Sequence, residues 1–213
     1  MLQIWSFPYP SPFASPFLEP KQRWPEQQIK DWVEGGVFEP AFMAYFMRDP
    51  ERQVPPGDNL VSPADGIVKE IAETDAAKYF VVGLSFWDVH VVRVPVGGTV
   101  TNVVEEGEVI FRDISETKDL AFLREKASPV QKIVTVKTDD GVEYKIHLIT
   151  SWWASRIKVS ARIGQKLKKG DRIGRILLGS SVVLSAPKSR VFTPSVGSRV
   201  VGGETVISDG GGT

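Results

Sequence analysis

The sequence contains no cysteine and only two histidines, His90 and His147. The absence of cysteine excludes disulfide bonds, thiol catalysis and cysteine-ligated metal centres. Two histidines are too few for a three-histidine metal site. Lysine plus arginine and aspartate plus glutamate are equal at 26 each, so no net positive field favours nucleic acid. Composition therefore excludes these two kinds of metal site and gives no electrostatic reason to expect a nucleic-acid partner.

Long hydrophobic runs are also missing. The longest apolar stretch, residues 41–47, is far shorter than the ~20 residues that a membrane-spanning helix needs. The chain has 213 residues and a hydrophobic share of 42%, which is enough for one globular domain with an appendage. The sequence therefore predicts a soluble or peripheral protein.

The first 47 residues form the predicted appendage. Residues 1–24 are rich in proline and aromatic residues, and the prolines exclude a continuous helix there. Residues 26–47 show helical spacing of apolar residues, interrupted at Gly35-Gly36 and Pro40. We predict an N-terminal helical segment over 1–47. Packing against the rest of the domain and peripheral contact with a membrane would both explain its aromatic residues.

Residues 48–213 are predicted to form the main domain, which consists of short β runs separated by turns. The pattern indicates a mainly β (α+β) fold with a β-sandwich or barrel-like domain. One helix is predicted over 115–126, and an Asp-Gly hairpin turn over 138–141. The predicted strands are 66–71, 78–86, 89–95, 99–104, 108–112, 132–137, 142–149, 156–159, 171–178, 181–185, 190–193 and 204–207.

A weak internal repeat joins residues 164–171 and 197–204. Each stretch has a glycine, a basic residue followed by an apolar one, and a second glycine followed by an acid. This order resembles the turns of lipoyl- and biotinyl-type hammerhead domains. The repeat therefore predicts hammerhead-like hairpins, which concern the fold and not the function.

The tripeptide Gly179-Ser180-Ser181 lies between two runs of β-forming apolar residues. Small residues between two strands indicate a tight turn, which by itself explains the tripeptide. A chemical interpretation is also open, because a serine hydroxyl can attack the carbonyl carbon of the residue before it. Gly179 has no Cβ to obstruct that approach. The acyl group would move from nitrogen to oxygen, and elimination from the ester would cut the chain and leave a pyruvoyl group.

Asp65 and His90 are two further candidates for chemistry. Asp65 precedes a predicted strand in Ser-Pro-Ala-Asp-Gly, where an Asp-Gly turn would explain it. His90 lies in an apolar run, where a histidine commonly belongs to the core. A carboxylate and an imidazole can also form the base that a serine nucleophile requires. Both interpretations stay open for each residue.

Four ordered blocks of the sequence resemble the short type of the phosphatidylserine decarboxylase family. Residues 46–66 contain Phe-Met-Arg-Asp-Pro-Glu-Arg, Pro-Pro-Gly and Val-Ser-Pro-Ala-Asp-Gly, which resemble its opening. Residues 88–95, Asp-Val-His-Val-Val-Arg-Val-Pro, resemble its histidine strand. Residues 173–182 resemble its self-cleavage site and residues 203–207 its C-terminal end. The resemblance extends from about residue 46 to residue 207.

The resemblance implies a carboxy-lyase that converts phosphatidylserine into phosphatidylethanolamine and carbon dioxide. It implies a proenzyme that cuts itself between Gly179 and Ser180 into residues 1–179 and 180–213, with Ser180 becoming the pyruvoyl cofactor. Asp65 and His90 correspond to the family's aspartate and histidine, and which of them takes the serine proton is left open. The pyruvoyl would act as electron sink, so neither a metal nor pyridoxal phosphate is expected. His90 would afterwards protonate the carbanion or guide the carboxylate.

Arg93 and Arg156 are candidates for binding the phosphate or carboxylate of the substrate. Arg93 occupies a position where long-type members of the family have a histidine. Arg156 follows residues 147–155, which contain two tryptophans where the family usually has a Gln-Ile-Ala-Gly-like run. This stretch therefore does not define the head group that the protein binds.

The expected partners are a phospholipid substrate, a membrane surface contacted peripherally, and the two cleavage chains bound to each other. A homo-oligomer is left open. The expected location is the cytoplasmic side of the cell membrane.

Several alternatives remain open on the sequence. One is a decarboxylase of another amino acid derivative, and another is a degenerate family member that does not cleave. A non-enzymatic hammerhead-type carrier would explain the glycine-rich turns, but the lysine that carries lipoyl or biotinyl groups is missing from them. A sugar-transport phosphocarrier would use His90 and His147 as phosphate acceptor and supporting residue.

Overall fold

The computed structural model describes residues 19–104, 129–151, 156–177 and 180–209. Within these ranges the chain forms three short helices and thirteen strands, which confirms the predicted mainly β fold. The helices are α1 (Pro20–Arg23), α2 (Glu26–Gly35) and α3 (Pro40–Phe46). The strands are β1 (Leu60–Val61), β2 (Gly66–Glu73), β3 (Lys78–Leu84), β4 (Val91–Arg93), β5 (Gly98–Val104), β6 (Pro129–Lys137), β7 (Glu143–Ser151), β8 (Arg156–Val159), β9 (Lys166–Leu167), β10 (Arg172–Leu177), β11 (Ser180–Ala186), β12 (Arg199–Val200) and β13 (Val206–Ser208).

Two antiparallel sheets contribute to one main core. The larger has the order β12-β2-β3-β11-β7-β6-β5-β9, the smaller has the order β4-β10-β8, and β1 pairs with β13. Fully buried side chains of the larger sheet, among them Val82 and Val182, belong to the same cluster as Val92 and Ile176 of the smaller sheet. Burying apolar side chains between the sheets supplies the main driving force for this fold.

Strand β11 lies at the centre of the larger sheet. It pairs with β3 from Ser180↔Leu84 to Ala186↔Lys78, and on its other side with β7 from Ser180↔Thr150 to Ser185↔Lys145. Its backbone groups are therefore hydrogen-bonded on both sides. The residues that directly follow the predicted cleavage site thus form the innermost strand of the sheet.

The internal repeat of the sequence is present in the backbone. Gly164 and Gly197 have φ angles of 82° and 91°, and Gly170 and Gly203 have φ angles of 84° and 80°. Each pair of glycines encloses a two-residue strand, β9 or β12. These two strands occupy opposite edges of the larger sheet, where β9 pairs with β5 and β12 with β2. The two similar turns predicted from the repeat are therefore present, although β9 and β12 pair with β5 and β2 and not with the strands next to them in the chain.

Several predicted elements differ from the structure. Residues 190–193 are irregular rather than a strand, because Arg190 turns to bind the Tyr144 hydroxyl and Phe192 packs on the ring of Phe80. The predicted strand 89–95 is shortened to β4. The hairpin at 138–141 is confirmed, since Lys137 pairs with Glu143 across it. The predicted strand 108–112 and helix 115–126 lie outside the described residues.

The three helices pack together and against the β domain. Their buried residues form a cluster that we call the helical cluster: Trp24, Ile29, Phe42, Tyr45 and Phe46. Partly buried Phe86, Trp87 and Leu177 of the β domain complete it. This contact agrees with the packing interpretation of the N-terminal segment, whereas the boundary at residue 47 stays a prediction. In the described part of the chain, no helix has the length and hydropathy of a membrane span.

Candidate active site

The strand that leads into the predicted cleavage site is hydrogen-bonded to His90. Strand β10 of the smaller sheet ends at Leu177, and β11 of the larger sheet begins at Ser180. The carbonyl oxygen of His90 accepts a hydrogen bond from the backbone nitrogen of Ile176 at 3.1 Å. His90 is therefore attached to the strand that leads into the cleavage site. Gly179 and the side chain of Ser180 lie outside what the structure describes.

His90 is completely buried and its tautomer is defined by a backbone contact. Its Nδ1 lies 2.9 Å from the carbonyl oxygen of Asp88. Because a carbonyl can only accept, Nδ1 carries the proton and Nε2 keeps a free lone pair. Nε2 is buried, and no described residue forms a hydrogen bond with it. An unbonded, buried imidazole nitrogen of this kind is suited to accept a proton.

Burial keeps His90 neutral. Loss of solvent lowers the pKa of His90 to about 4, although the hydrogen bond to the Asp88 carbonyl and the Asp88 charge both raise it. The charges of Arg48 and Arg175 lower it further. The ring of Phe46 lies against the imidazole, with 4.1 Å between the ring centroids. His90 is thus a base and not a cation at neutral pH.

The side chain of Asp88 fixes the turn in which the backbone carbonyl of Asp88 accepts a hydrogen bond from Nδ1 of His90. Its Oδ2 accepts hydrogen bonds from the backbone nitrogen and the hydroxyl of Ser85, both at 2.7 Å. Its Oδ1 is paired with the guanidinium of Arg199. The Asp88 side chain is almost fully buried, so these contacts compensate the loss of its hydration. The orientation of His90 therefore depends on a turn that is fixed from both sides.

Asp65 lies on the segment beside β4 and is bound to an arginine. The Nη2 of Arg52 lies 2.9 Å from each carboxylate oxygen, and the backbone nitrogen of Gly202 donates to Oδ1 at 2.8 Å. Burial raises the pKa of Asp65, whereas Arg52 and the Gly202 amide oppose that rise. In the described contacts Asp65 pairs with Arg52 and not with His90. The sequence left open a base formed by Asp65 and His90; the described contacts of Asp65 are those with Arg52 and Gly202, and a catalytic role for Asp65 stays a prediction.

The two candidate substrate-binding arginines have different surroundings. The guanidinium of Arg93 is buried and donates to the Gly170 carbonyl at 3.0 Å, to the Asp49 carboxylate at 2.8 Å and to the Pro50 carbonyl at 3.1 Å. These contacts fix the segment after α3 to the domain. Arg156 opens β8 opposite Leu177, and its side chain lies outside the described part. Substrate binding by either residue stays a prediction.

His147 does not have the surroundings that the phosphocarrier alternative requires. It alternates along β7 with Ile146 and Leu148 of the main core, so it projects from the opposite face of the sheet. Its Nδ1 lies 3.2 Å from Oε1 of Gln131 in β6. His90, by contrast, contacts the helical cluster and precedes β4. The two histidines do not form one site, and the phosphocarrier interpretation is wrong.

Sequence reasoning missed three residues of this site. Arg52 binds Asp65, Asp88 holds the turn before His90, and Phe46 covers the imidazole. Arg52 and Phe46 lie in the block 46–52 that carried the family resemblance, and Asp88 begins the histidine block. Their positions were thus visible in the sequence. The partners of Arg52 and Phe46 were not, because those contacts join segments that are brought together only by folding, whereas Asp88 binds Ser85 within one turn.

Comparison with known proteins assigns the chain to a family. The phosphatidylserine decarboxylase family model matches residues 40–208, which is most of the sequence. The chain belongs to the phosphatidylserine decarboxylase family. The family resemblance seen in the sequence is therefore confirmed, and so is the prediction of a carboxy-lyase.

Individual relatives cover most of the chain. A putative archaetidylserine decarboxylase proenzyme of Archaeoglobus fulgidus is 34% identical over 165 residues, which span 78% of this chain and 76% of the relative. A phosphatidylserine decarboxylase proenzyme of Solibacter usitatus is 34% identical over 186 residues, 83% of this chain and 86% of the relative. A phosphatidylserine decarboxylase proenzyme of Wolbachia pipientis is 30% identical over 185 residues, which span 81% of this chain and 77% of the relative. A search of solved structures gave no significant match.

Proposed function

We propose that this member of the phosphatidylserine decarboxylase family is a proenzyme that cuts itself between Gly179 and Ser180 and then decarboxylates phosphatidylserine. The observation that carries the proposal is the neutral, buried His90, whose backbone is hydrogen-bonded to Ile176 of the strand entering the cleavage site. The names of the relatives, which are proenzymes of serine-phospholipid decarboxylases, support the same reaction.

In the proposed cleavage, Nε2 of His90 takes the proton of the Ser180 hydroxyl. The oxygen attacks the carbonyl carbon of Gly179, the C–N bond breaks as the C–O bond forms, and the amine nitrogen receives a proton. Loss of the Ser180 Cα proton then breaks the bond between Cβ and the ester oxygen, which releases Gly179 as a carboxylate. Hydrolysis of the remaining unsaturated residue gives a pyruvoyl group and ammonia. A base that is already neutral is needed for the first step.

The fold can hold the smaller chain after cleavage. Residues 180–185 are paired on both sides by β3 and β7, and β12 and β13 are paired with β2 and β1. The Gly202 amide also reaches the Asp65 carboxylate of the larger chain. Cleavage and loss of the Ser180 nitrogen leave the pairing of residues 181–185 and of β12 and β13 in place. We therefore expect residues 1–179 and 180–213 to stay together as one folded unit.

The surroundings of Ser180 fit a pyruvoyl group. Its backbone is fixed in the central strand opposite Leu84 and Thr150, so a group formed there would be held rigidly. When present, the pyruvoyl supplies an electron sink for the carbon–carbon bond that is broken. His90 contributes a neutral imidazole that can take a proton at Nε2 and afterwards return it. The burial around His90 excludes water that would compete for that proton.

As a further part of the proposal, the protein contacts a membrane peripherally, on the cytoplasmic side of the cell, and the surroundings of the helical cluster support the membrane contact. It places aromatic residues next to Leu177, two positions from the cleavage site, and leaves Val37 75% and Met47 43% exposed nearby in the sequence. Apolar residues at the surface of an amphipathic segment can enter the headgroup region of a bilayer. A substrate that stays in the membrane would thereby reach the site.

The proposed substrate is tested with purified full-length protein and vesicles that contain phosphatidylserine. The proposal predicts release of carbon dioxide and formation of phosphatidylethanolamine, and loss of both in Ser180→Ala. Parallel vesicles that contain archaetidylserine, and soluble phosphoserine, define which part of the substrate is recognised. Turnover of phosphoserine but not of phosphatidylserine would replace the lipid by a soluble amino acid derivative. Cleaved protein that decarboxylates none of them would contradict the proposed function.

A further inference from the structure

Phe46 covers the imidazole of His90 from the helical cluster. The two rings are 4.1 Å apart between centroids and inclined by 36°, and both side chains are completely buried. Phe46 is the last residue of α3. A contact this close between a phenyl ring and an imidazole leaves no room for water between them. The residue that removes water from this face of His90 therefore comes from the N-terminal helices.

Helix α3 is held against the turn that precedes His90. The hydroxyl of Tyr45 donates to the carbonyl of Trp87 at 3.0 Å, and Arg48 donates to the same carbonyl. Leu177, which leads to the cleavage site, packs in the same cluster. The end of α3 thus contacts both the histidine turn and the strand before the cleaved bond.

The charged groups around His90 do not by themselves account for its neutrality. Asp88 favours the protonated form, while Arg48 after α3 and Arg175 in β10 disfavour it, and the loss of solvent is the largest effect. The charges therefore act in opposite directions. Solvent exclusion is the property that a substitution of Phe46 would change most directly.

We propose that Phe46 is a positioning residue for self-cleavage, whose ring keeps water from His90 and fixes the plane of the imidazole while Asp88 fixes its tautomer. The proposal rests on the proposed role of His90 as the base. In this proposal Phe46 takes part in neither bond change. It acts through His90, so its removal affects cleavage most where an exposed imidazole would be protonated.

The first test is NMR spectroscopy of the full chain with Ser180→Ala, which stays uncleaved. Because the chain has only two histidines, isotope-labelled imidazoles give two signals, and a His147→Gln sample assigns them. Phe46→Leu should raise the pKa of His90 by about one unit or more toward its ordinary value.

Phe42→Leu is the matched control, because Phe42 is buried in the same helix and cluster but contacts Phe46 instead of His90. An unchanged His90 titration in folded Phe46→Leu would overturn the proposal. If Phe46→Leu does not fold, Phe46→Met replaces it.

The second test is the pH dependence of cleavage in protein made by cell-free synthesis and then transferred to buffers of different pH. Phe46→Leu should cleave at least about threefold more slowly than the unsubstituted chain near pH 4.5 and at a similar rate near pH 8, because a rise of the His90 pKa by about one unit from about 4 leaves most of the imidazole protonated at the lower pH. Phe42→Leu should show no such pH dependence. Equal pH profiles for Phe46→Leu and the unsubstituted chain would overturn the inference. A His90→Gln chain that cleaves normally would instead overturn the proposed function, whatever the NMR result for Phe46.

Discussion

The backbone nitrogen of Gly202 donates a hydrogen bond to Oδ1 of Asp65 at 2.8 Å, across 137 positions of the sequence. Asp65 precedes the proposed cleavage site and Gly202 follows it. The bond therefore joins the two chains that cleavage would produce. Arg52 holds the same carboxylate from the other side, so Asp65 lies between a cation of the larger chain and an amide of the smaller one.

Substitution of Arg52 should destabilise the protein at neutral pH. The pair with Asp65 is buried, and removing one partner leaves an uncompensated charge, so Arg52→Gln should lower the free energy of unfolding by about 3 kcal/mol. The loss of unfolding free energy caused by Arg52→Gln should become smaller as the pH falls. The pKa of Asp65 is raised in the folded state, so the folded protein takes up a proton there more readily than the unfolded chain as the pH falls. Urea unfolding at several pH values measures this.

Arg172→Gln is the matched control for Arg52→Gln. Arg172 binds Asp49 and Glu51, but its side chain is 42% exposed. An exposed pair contributes about 1 kcal/mol or less. Equal losses of stability in the two variants would contradict the buried pair described for Asp65.

His90 should make the uncleaved protein less stable in acid. Its pKa is lowered to about 4 in the folded state, whereas the unfolded chain has an ordinary imidazole near 6.5. Between these values the unfolded chain binds a proton that the folded protein does not, so stability is lost as the pH falls through this window. The expected loss is about 3 kcal/mol. Urea unfolding at about pH 7 and about pH 4.5 measures this contribution when Ser180→Ala is compared with Ser180→Ala/His90→Gln. The double variant should lack the loss of stability that is due to His90.

Gly98 at the start of β5 should not tolerate a side chain. A Cβ there would lie 2.5 Å from the carbonyl oxygen of Lys137, closer than atoms can pack. Gly98→Ala should therefore destabilise the protein by about 2 kcal/mol or more. Gly35→Ala in α2 is the control, because its Cβ would meet no atom within 4 Å. That change should be neutral or stabilising by about 1 kcal/mol, since alanine favours a helix. Thermal unfolding of both variants tests the difference.

The sequence was informative where structure is encoded locally. Alternation and turn residues predicted the central strands and the hairpin at 138–141, and the weak repeat predicted the paired turns at 164–171 and 197–204. Strands β1, β9 and β12 were missed because two residues are too few to show a pattern. The stretch 190–193 looked like a strand because its composition favours one, but a contact of Arg190 with Tyr144 decides its conformation.

The site was predicted only in part, because contacts between distant segments of the chain are not encoded locally. Ordered blocks of the sequence pointed to Asp65 and His90. The ion pair of Asp65 with Arg52 and the ring contact of His90 with Phe46 depend on how distant segments meet in the folded chain. No local spacing encodes these contacts, so the sequence indicated neither Arg52 as the partner of Asp65 nor Phe46 as the neighbour of His90.

The central claim is self-cleavage between Gly179 and Ser180, and an intact-mass spectrum of the purified protein tests it most directly. Under denaturing conditions the account predicts two chains, residues 1–179 and residues 180–213, the second beginning with a pyruvoyl group. Under native conditions it predicts a single species that contains both, because β11 stays paired on both sides. A single uncut chain of 213 residues with Ser180 intact would contradict the account.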